Sequence, residues 1–236
     1  MELGARCAGQ KNMKPVYTVR RTVSPVPLVA GWEHPMWRDV LPLTVGHFHP
    51  RSSDHRPATQ AKVLYDAQAL YGIFRVEDRY VVGAHTAYQD PVCQDSCVEF
   101  FVRPKPDKGY MNFEMNCCGV LLLQYVEDPA RTPEGFAKFT RAPAEVGRRV
   151  EVRGALEGPL AREIEAPMTW ETAFRIPLDV LEVYVGSLGD PSGQEWRANF
   201  YKCADTSSHP HWGAWSPIGD RLDFHQPDRF GALCFA

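Results

Sequence analysis

Polar side chains that could bind a ligand alternate with apolar ones between Tyr110 and Cys117. In a β-strand successive side chains point to opposite faces, so this alternation predicts one apolar face for a core and one hydrogen-bonding face. Amide and carboxylate groups beside an aromatic ring suit a neutral, polyhydroxylated ligand, because each hydroxyl both donates and accepts hydrogen bonds. The alternative is an ordinary solvated sheet face. The predicted core row is Met111, Phe113, Met115 and Cys117, and the polar row is Tyr110, Asn112, Glu114 and Asn116.

Two further strand-like segments, Cys97–Arg103 and Trp196–Cys203, divide into the same two kinds of face. The first is predicted to bury Val98 and Phe100, and the second Trp196 and Phe200. If these strands are neighbours in one sheet, their polar rows form a patch rather than a stripe. The spacing of the segments in the sequence does not show whether they are neighbours. We expect the following residues to converge on one surface: Glu99, Glu114, Asn116, Arg197 and Asn199.

The long segment Asp205–Pro227 is predicted to be a loop that contributes aromatic rings to this surface. Sugar rings present C–H groups that pack on aromatic faces, and we expect Trp212 or Trp215 at the edge of the polar patch. The alternative is that both tryptophans anchor the loop or the core. The complete set of predicted ligand-binding residues is Glu99, Asn112, Glu114, Asn116, Arg197, Asn199, Tyr201, Lys202, His211, Trp212 and Trp215.

Two other chemistries stay open. Glu99 and Glu114 would be the acid and base of a glycosidase if their carboxyl groups were suitably separated, but pairing with an arginine would keep a carboxylate ionised and unsuited to a general acid. Histidines cluster in two loops, yet no standard metal-ligand spacing is completed, so solvated loop histidines are the favoured interpretation. These histidines are His47, His49 and His55 in one loop and His209 and His211 in the other.

Turn signals between the strand-like segments predict an all-β fold, an antiparallel β-sandwich with long loops and little helix. Gln60–Tyr65 with Leu70–Val76 predicts one hairpin, and Asn116–Gln124 around Gly119 predicts another. Twenty prolines disfavour long helices. Leu178–Val183 is the best helix candidate.

Composition is that of a globular protein, with 44% hydrophobic residues and a net charge of −3. This charge argues against a nucleic-acid partner, and the absence of a long apolar run argues against a membrane partner. Seven cysteines without a C-x-x-C motif are predicted to be mostly reduced and buried. We expect a disordered extension over residues 1–12, with no apolar segment typical of a secretory signal, and a single domain over residues 13–236.

The order of several motifs resembles the family 9 carbohydrate-binding modules, especially the free-standing family 9-like branch of the DOMON-like superfamily. The resemblance implies a β-sandwich and non-catalytic binding of sugars, in the studied modules often at chain ends. It also implies structural calcium in some members, for which Asp90 and Asp95 are candidates, and it raises haem as a further alternative. The motifs are Lys62–Asp66, Asp95–Phe101, Tyr110–Asn116, Ala198–Cys203, Pro210–Trp212 and Asp223–His225.

Some individual residues match the pattern of the family, and others depart from it. Glu99 matches the family glutamate of an Asp-Ser-x-x-Glu phrase, and Asn116 matches a polar position before the glycine that ends the strand. Cys93 stands where the sugar-binding modules commonly have a tryptophan. Near the C-terminus, Phe224 and His225 stand where a second clamping tryptophan is expected.

Overall fold

Period-two alternation produces strands throughout residues 14–236, the part of the chain that the computed structural model describes. The N-terminal extension predicted over residues 1–12 lies outside the described residues. Three short helices are α1 (Pro35–Arg38), α2 (Ala144–Gly147) and α3 (Leu178–Val185). The strands are β1 (Val16–Arg21), β2 (Leu43–Thr44), β3 (His47–Phe48), β4 (Ala58–Tyr65), β5 (Ala69–Asp78), β6 (Cys97–Arg103), β7 (Tyr110–Asn116), β8 (Leu121–Thr132), β9 (Gly135–Arg141), β10 (Glu151–Arg153), β11 (Met168–Pro177), β12 (Glu195–Cys203), β13 (Trp212–Ala214) and β14 (Gly231–Phe235).

The strands form a β-sandwich of two sheets, which confirms the predicted fold class. The first sheet has the order β1-β14-β12-β6-β7-β8-β9, and the second has the order β10-β11-β5-β4-β1. The first half of β1 pairs with β14 and its second half with β4, so this strand passes from one sheet to the other. Both pairings of β1 are parallel, whereas the other strand pairings described are antiparallel.

Both predicted hairpins are confirmed, as β4–β5 and β7–β8, and the predicted helix is α3. The segment predicted as the loop 205–227 contains strand β13, which pairs with the end of β12. Within residues 14–236 no helix is long and apolar enough to cross a membrane.

The core between the two sheets contains the apolar rows predicted from alternation. Val98, Phe100, Met111, Phe113, Met115, Trp196 and Phe200 are all buried there. Trp215, which we expected at the edge of a binding surface, belongs to this core: it is 7% exposed and its ring lies edge-on to Phe200. The opposite, outward face of the first sheet is also covered, because Phe224 and Phe230 pack on Phe101, Tyr110 and Tyr201.

We expect Phe113→Ala to lower the free energy of unfolding by about 3–5 kcal/mol, because the removed ring leaves a cavity at the centre of the core. Val183→Ala, at an exposed position of α3, is the matched control and is expected to change stability by less than about 0.5 kcal/mol. Urea denaturation measures both. A loss below about 1 kcal/mol for Phe113→Ala would contradict the assignment of this strand face to the core.

Candidate functional site

A cavity of about 290 Å³ opens on the outward face of the first sheet, at the ends of β6 and β12. Strand β6 contributes Glu99 and β12 contributes Cys203, while the remaining walls come from loops and from strands β8 and β13. The lining residues are Cys93, Glu99, Arg131, Cys203, Asp205, Trp212, Leu222, Asp223, Phe224 and His225. Polar side chains thus meet aromatic rings in one concave site, which is the usual composition of a small-molecule pocket.

Two carboxyl groups lie side by side beneath this cavity. Glu99 on β6 is directly opposite Glu114 on β7, and the two side chains are 2% and 6% exposed. Burial, together with the neighbouring Glu114 carboxyl, holds the pKa of Glu99 well above its ordinary value. Burial also raises the pKa of Glu114 to about 7, although the hydrogen bond from Asn112 opposes this effect. The pair therefore favours keeping a proton over carrying two negative charges.

Neighbouring side chains hold both carboxyl groups in place. The Asn112 amide donates a hydrogen bond of 2.7 Å to Glu114 Oε1, and its own oxygen accepts from the backbone N–H of Gln124. The Cys203 thiol lies 3.2 Å from Glu99 Oε1. Within the polar row predicted on β7, Asn112 thus orients the Glu114 carboxyl group.

Aromatic rings form two walls of the cavity. Trp212 is half-buried at the start of β13, and its Nε1 donates a hydrogen bond of 2.7 Å to Asp205. Phe224 stacks on Tyr201 at 4.1 Å between ring centroids, and the Tyr201 hydroxyl donates to the Phe224 carbonyl oxygen. Tyr201 is buried, and the Phe224 ring lies between it and the cavity.

A third wall combines an imidazole with an ion pair. His225 Nδ1 lies 2.8 Å from the Tyr110 hydroxyl, and burial with the nearby Arg131 charge lowers the pKa of His225 to about 3. Asp223 accepts hydrogen bonds from Arg131 and Arg221. Burial alone would raise the pKa of Asp223, but these two guanidinium groups outweigh it and keep the carboxylate ionised. The third wall therefore presents an uncharged His225 imidazole beside an Asp223 carboxylate that is paired with arginine side chains.

Of the five residues expected to converge, the structure brings together Glu99 and Glu114. Arg197 is exposed at the far end of β12 and pairs with Glu195. Asn199 holds the chain at Ser216, accepting from its N–H and donating to its carbonyl. Asn116 holds the β7–β8 turn by accepting from the N–H groups of Cys118 and Val120.

Lys202 and His211 lie in the interior rather than at the cavity. Lys202 is 0% exposed on the core side of β12, with its ammonium 2.8 Å from His211 Nε2 and 3.5 Å from Asp78. His55 and Trp170 also hydrogen-bond to Asp78. These groups form a buried ionic cluster that joins β12 to the second sheet.

Neither Arg103 on β6 nor Arg197 on β12 reaches the acidic pair. Arg103 donates to the backbone carbonyls of Pro106 and Lys108, and Arg197 pairs with Glu195. The carboxyl groups therefore lack the compensating charge that would keep both of them ionised.

Eight lining residues were absent from the predicted set: Cys93, Arg131, Cys203, Asp205, Leu222, Asp223, Phe224 and His225. Cys93, Phe224 and His225 occupy the positions that the resemblance marks as aromatic clamps, so that signal was present in the sequence. Arg131 comes from the far half of β8, and Asp205 follows β12. No local pattern links either residue to the site.

The aspartates considered for calcium take part in backbone hydrogen bonds. Asp95 accepts from the N–H groups of Ala84 and His85 and from the Asn116 amide, and Asp90 accepts from two backbone N–H groups. Calcium needs six to eight oxygen ligands. These hydrogen bonds give both carboxylates a role in holding loops, and structural calcium stays a prediction.

The family model and the similar solved structures agree on one family. The model of carbohydrate-binding family 9 matches residues 40–235. No curated protein matches the sequence. A Bacteroides uniformis protein, proposed to bind carbohydrate, shares 29% identity and superposes with a TM-score of 0.79, covering 94% of this chain and 100% of that one.

Two more distant structures share the fold. Both are of a family 9 carbohydrate-binding module from Caldicellulosiruptor kristjanssonii, one in complex with glucose and the other with cellotriose. They are 17% and 16% identical, each with a TM-score of 0.61. The alignments cover 94% of this chain in both cases and 96% and 93% of the two modules.

We expect the stability difference between the unchanged protein and Glu114→Gln to depend on pH. The pKa of Glu114 is raised in the folded state, so the folded protein holds this proton more tightly than the unfolded chain does. Stability that is present below the ordinary glutamate pKa is therefore lost as pH rises toward 7. Urea denaturation at pH 5 and pH 7, in buffer with EDTA, should show the unchanged protein losing about 1–3 kcal/mol relative to Glu114→Gln.

Glu157→Gln is the control for this experiment, because Glu157 is exposed. Its difference from the unchanged protein should not vary between the two pH values. A Glu114→Gln difference that is equally constant would show that this carboxyl group titrates normally.

Proposed function

We propose that this chain, which belongs to carbohydrate-binding family 9, binds the end of a neutral saccharide in the cavity above Glu99 and does not cleave it. The binding unit is the single domain predicted over residues 13–236. One observation carries the proposal: two aromatic walls, Trp212 and Phe224, face a cavity whose floor contains the Glu99 carboxyl group.

This combination matches the two surfaces of a sugar. Pyranose faces carry C–H groups that pack on aromatic rings, whereas the ring edge carries hydroxyls that need hydrogen-bonding partners. Trp212 is held by Asp205 and Phe224 by Tyr201, so neither ring has to be ordered when a ligand binds. Pre-organised walls of this kind lower the entropic cost of binding.

The size of the cavity favours a single sugar ring or the terminal ring of a chain. A volume of about 290 Å³ lies at the low end of the range for small-molecule pockets. The similar modules from Caldicellulosiruptor kristjanssonii are in complex with glucose and with cellotriose, which supports a glucose-like terminal ring here.

The charge of the cavity favours a neutral ligand. Glu99 and Glu114 are buried side by side, and Asp223 on the wall is already neutralised by Arg131 and Arg221. A protonated Glu99 carboxyl both donates and accepts, as a sugar hydroxyl does. An acidic sugar would add a further carboxylate next to this buried pair of carboxyl groups.

The position of the two glutamates argues against glycoside hydrolysis. Such a reaction places its two carboxyl groups on either side of the scissile bond. Glu99 and Glu114 are instead neighbours across two adjacent strands and lie on the same side of the cavity. We therefore propose binding without catalysis, and incubation with the bound saccharide should release no product.

Trp212→Ala is expected to weaken saccharide binding at least tenfold, because it removes one stacking wall; tenfold corresponds to about 1.4 kcal/mol. Isothermal titration calorimetry with glucose, cellotriose and other neutral sugars identifies the ligand and measures the change. Tyr184→Ala is the control, since this half-buried aromatic lies on α3 and does not line the cavity. Equal affinity for both variants would exclude the Trp212 cavity as the sugar site.

Glu99→Ala is expected to weaken binding of the same saccharide by about 1–3 kcal/mol, because hydroxyls lose a buried hydrogen-bonding partner. Glu99→Gln should lose less, since the amide also donates and accepts. Near-ultraviolet circular dichroism checks that each variant is folded. If Glu99→Ala binds as tightly as the unchanged protein, Glu99 has no contact with the ligand.

A further inference from the structure

Three metal-ligating side chains converge at the floor of the cavity. The Cys97 and Cys203 sulfurs and a Glu99 carboxylate oxygen all lie within 4.8 Å of one another, and all three residues are buried. Cys97 and Cys203 are directly opposite each other on β6 and β12, and Glu99 is two residues from Cys97 on the same face of β6. Strand register, rather than a flexible loop, sets this arrangement.

We propose that Cys97, Cys203 and Glu99 form a binding site for a divalent ion of the zinc type, with the fourth coordination position open to the cavity. This inference does not depend on the proposed sugar binding. It assigns to the two thiols a role that the saccharide site does not use.

The spacing of the donor atoms agrees with tetrahedral coordination. Bonds of about 2.3 Å to sulfur and about 2.0–2.2 Å to oxygen place neighbouring ligand atoms roughly 3.3–3.8 Å apart. Cys203 Sγ lies 3.2 Å from Glu99 Oε1, and all three donor atoms are within 4.8 Å of one another. Small rotations of the side chains are sufficient to surround one ion.

The donor set selects the class of ion. Two thiolates favour a soft or borderline metal, whereas calcium and magnesium prefer oxygen ligands only. A carboxylate as third ligand with one open position is typical of zinc sites that accept water or an exogenous ligand. Copper(I) would be expected to use sulfur donors without the carboxylate.

The surroundings allow an ion to enter. Glu99 and Cys203 line the cavity, so an ion can reach them from solvent. When it binds, both thiols and, where protonated, the Glu99 carboxyl release their protons to the buffer. The ligands then carry three negative charges against two positive ones, so the bound site keeps one excess negative charge.

Titration of the reduced full-length chain with Co²⁺ tests the site, because cobalt replaces zinc and its thiolate bonds give a charge-transfer absorption band. We expect the band to appear at one ion per chain and to disappear on addition of zinc. Cys97→Ser and Cys203→Ser should each reduce the band, because one of the two thiolate bonds is lost, and should weaken zinc binding at least tenfold. Glu99→Gln should keep the band but also weaken zinc binding.

Cys234→Ser is the matched control, since Cys234 lies on β14 and takes no part in the cluster; it should leave both measurements unchanged. If a serine variant does not fold by circular dichroism, the corresponding alanine variant replaces it. The proposal would be overturned if a sample in which all seven thiols are shown to be reduced gave no cobalt band. A band that neither cysteine substitution changes would also overturn it. Saccharide titration in EDTA is a separate measurement, so failure of the metal site leaves the proposed function standing.

Discussion

The contact of Phe100 with Phe113 and Phe200 sets the geometry on which the site depends. These three residues are direct partners across β7, β6 and β12, with ring centroids 6.3 and 5.0 Å apart, and all are fully buried. Slipping any strand by one residue would move its apolar row out of the core and its polar row in. Burial of the phenylalanines therefore also fixes what lies opposite on the other face: Glu99 beside Glu114, and Cys97 beside Cys203.

The outward face of the first sheet differs from a solvated surface because the segment after β12 covers it. Phe224 and Phe230 supply apolar contact on this face, where Glu114 and Asn112 are almost completely buried and Glu99 meets solvent only at the cavity. Burial of Glu99 and Glu114 disfavours two adjacent carboxylates, so the pair favours holding a shared proton. Covered polar groups of this kind cost stability, and sites that recognise ligands are where such a cost is commonly found.

Strand faces could be predicted from the sequence, and long-range partners could not. Alternation correctly divides β6, β7 and β12, because burial of one face imposes a period of two. It fails to locate Arg197, which points outward but lies too far along β12 to reach the acidic pair. Alternation places Lys202 on the core face with Trp196 and Phe200, so its predicted binding role conflicted with the pattern, and its partner Asp78 belongs to the other sheet. Phe224 and Asp205 come from segments without periodicity, so only the fold brings them to the cavity.

Glu99 connects the two proposals, and this connection has a thermodynamic consequence. A sugar hydroxyl is best served by a protonated carboxyl group that both donates and accepts, whereas a metal ion requires the carboxylate. An ion at the cavity floor would also place charge beneath the aromatic walls. Because coupling between two ligands is reciprocal, any factor by which zinc weakens saccharide binding is the factor by which the saccharide weakens zinc binding. Because Glu99 belongs to both proposed sites, the register that pairs Cys97 with Cys203 places the proposed metal site in direct competition with the proposed saccharide site.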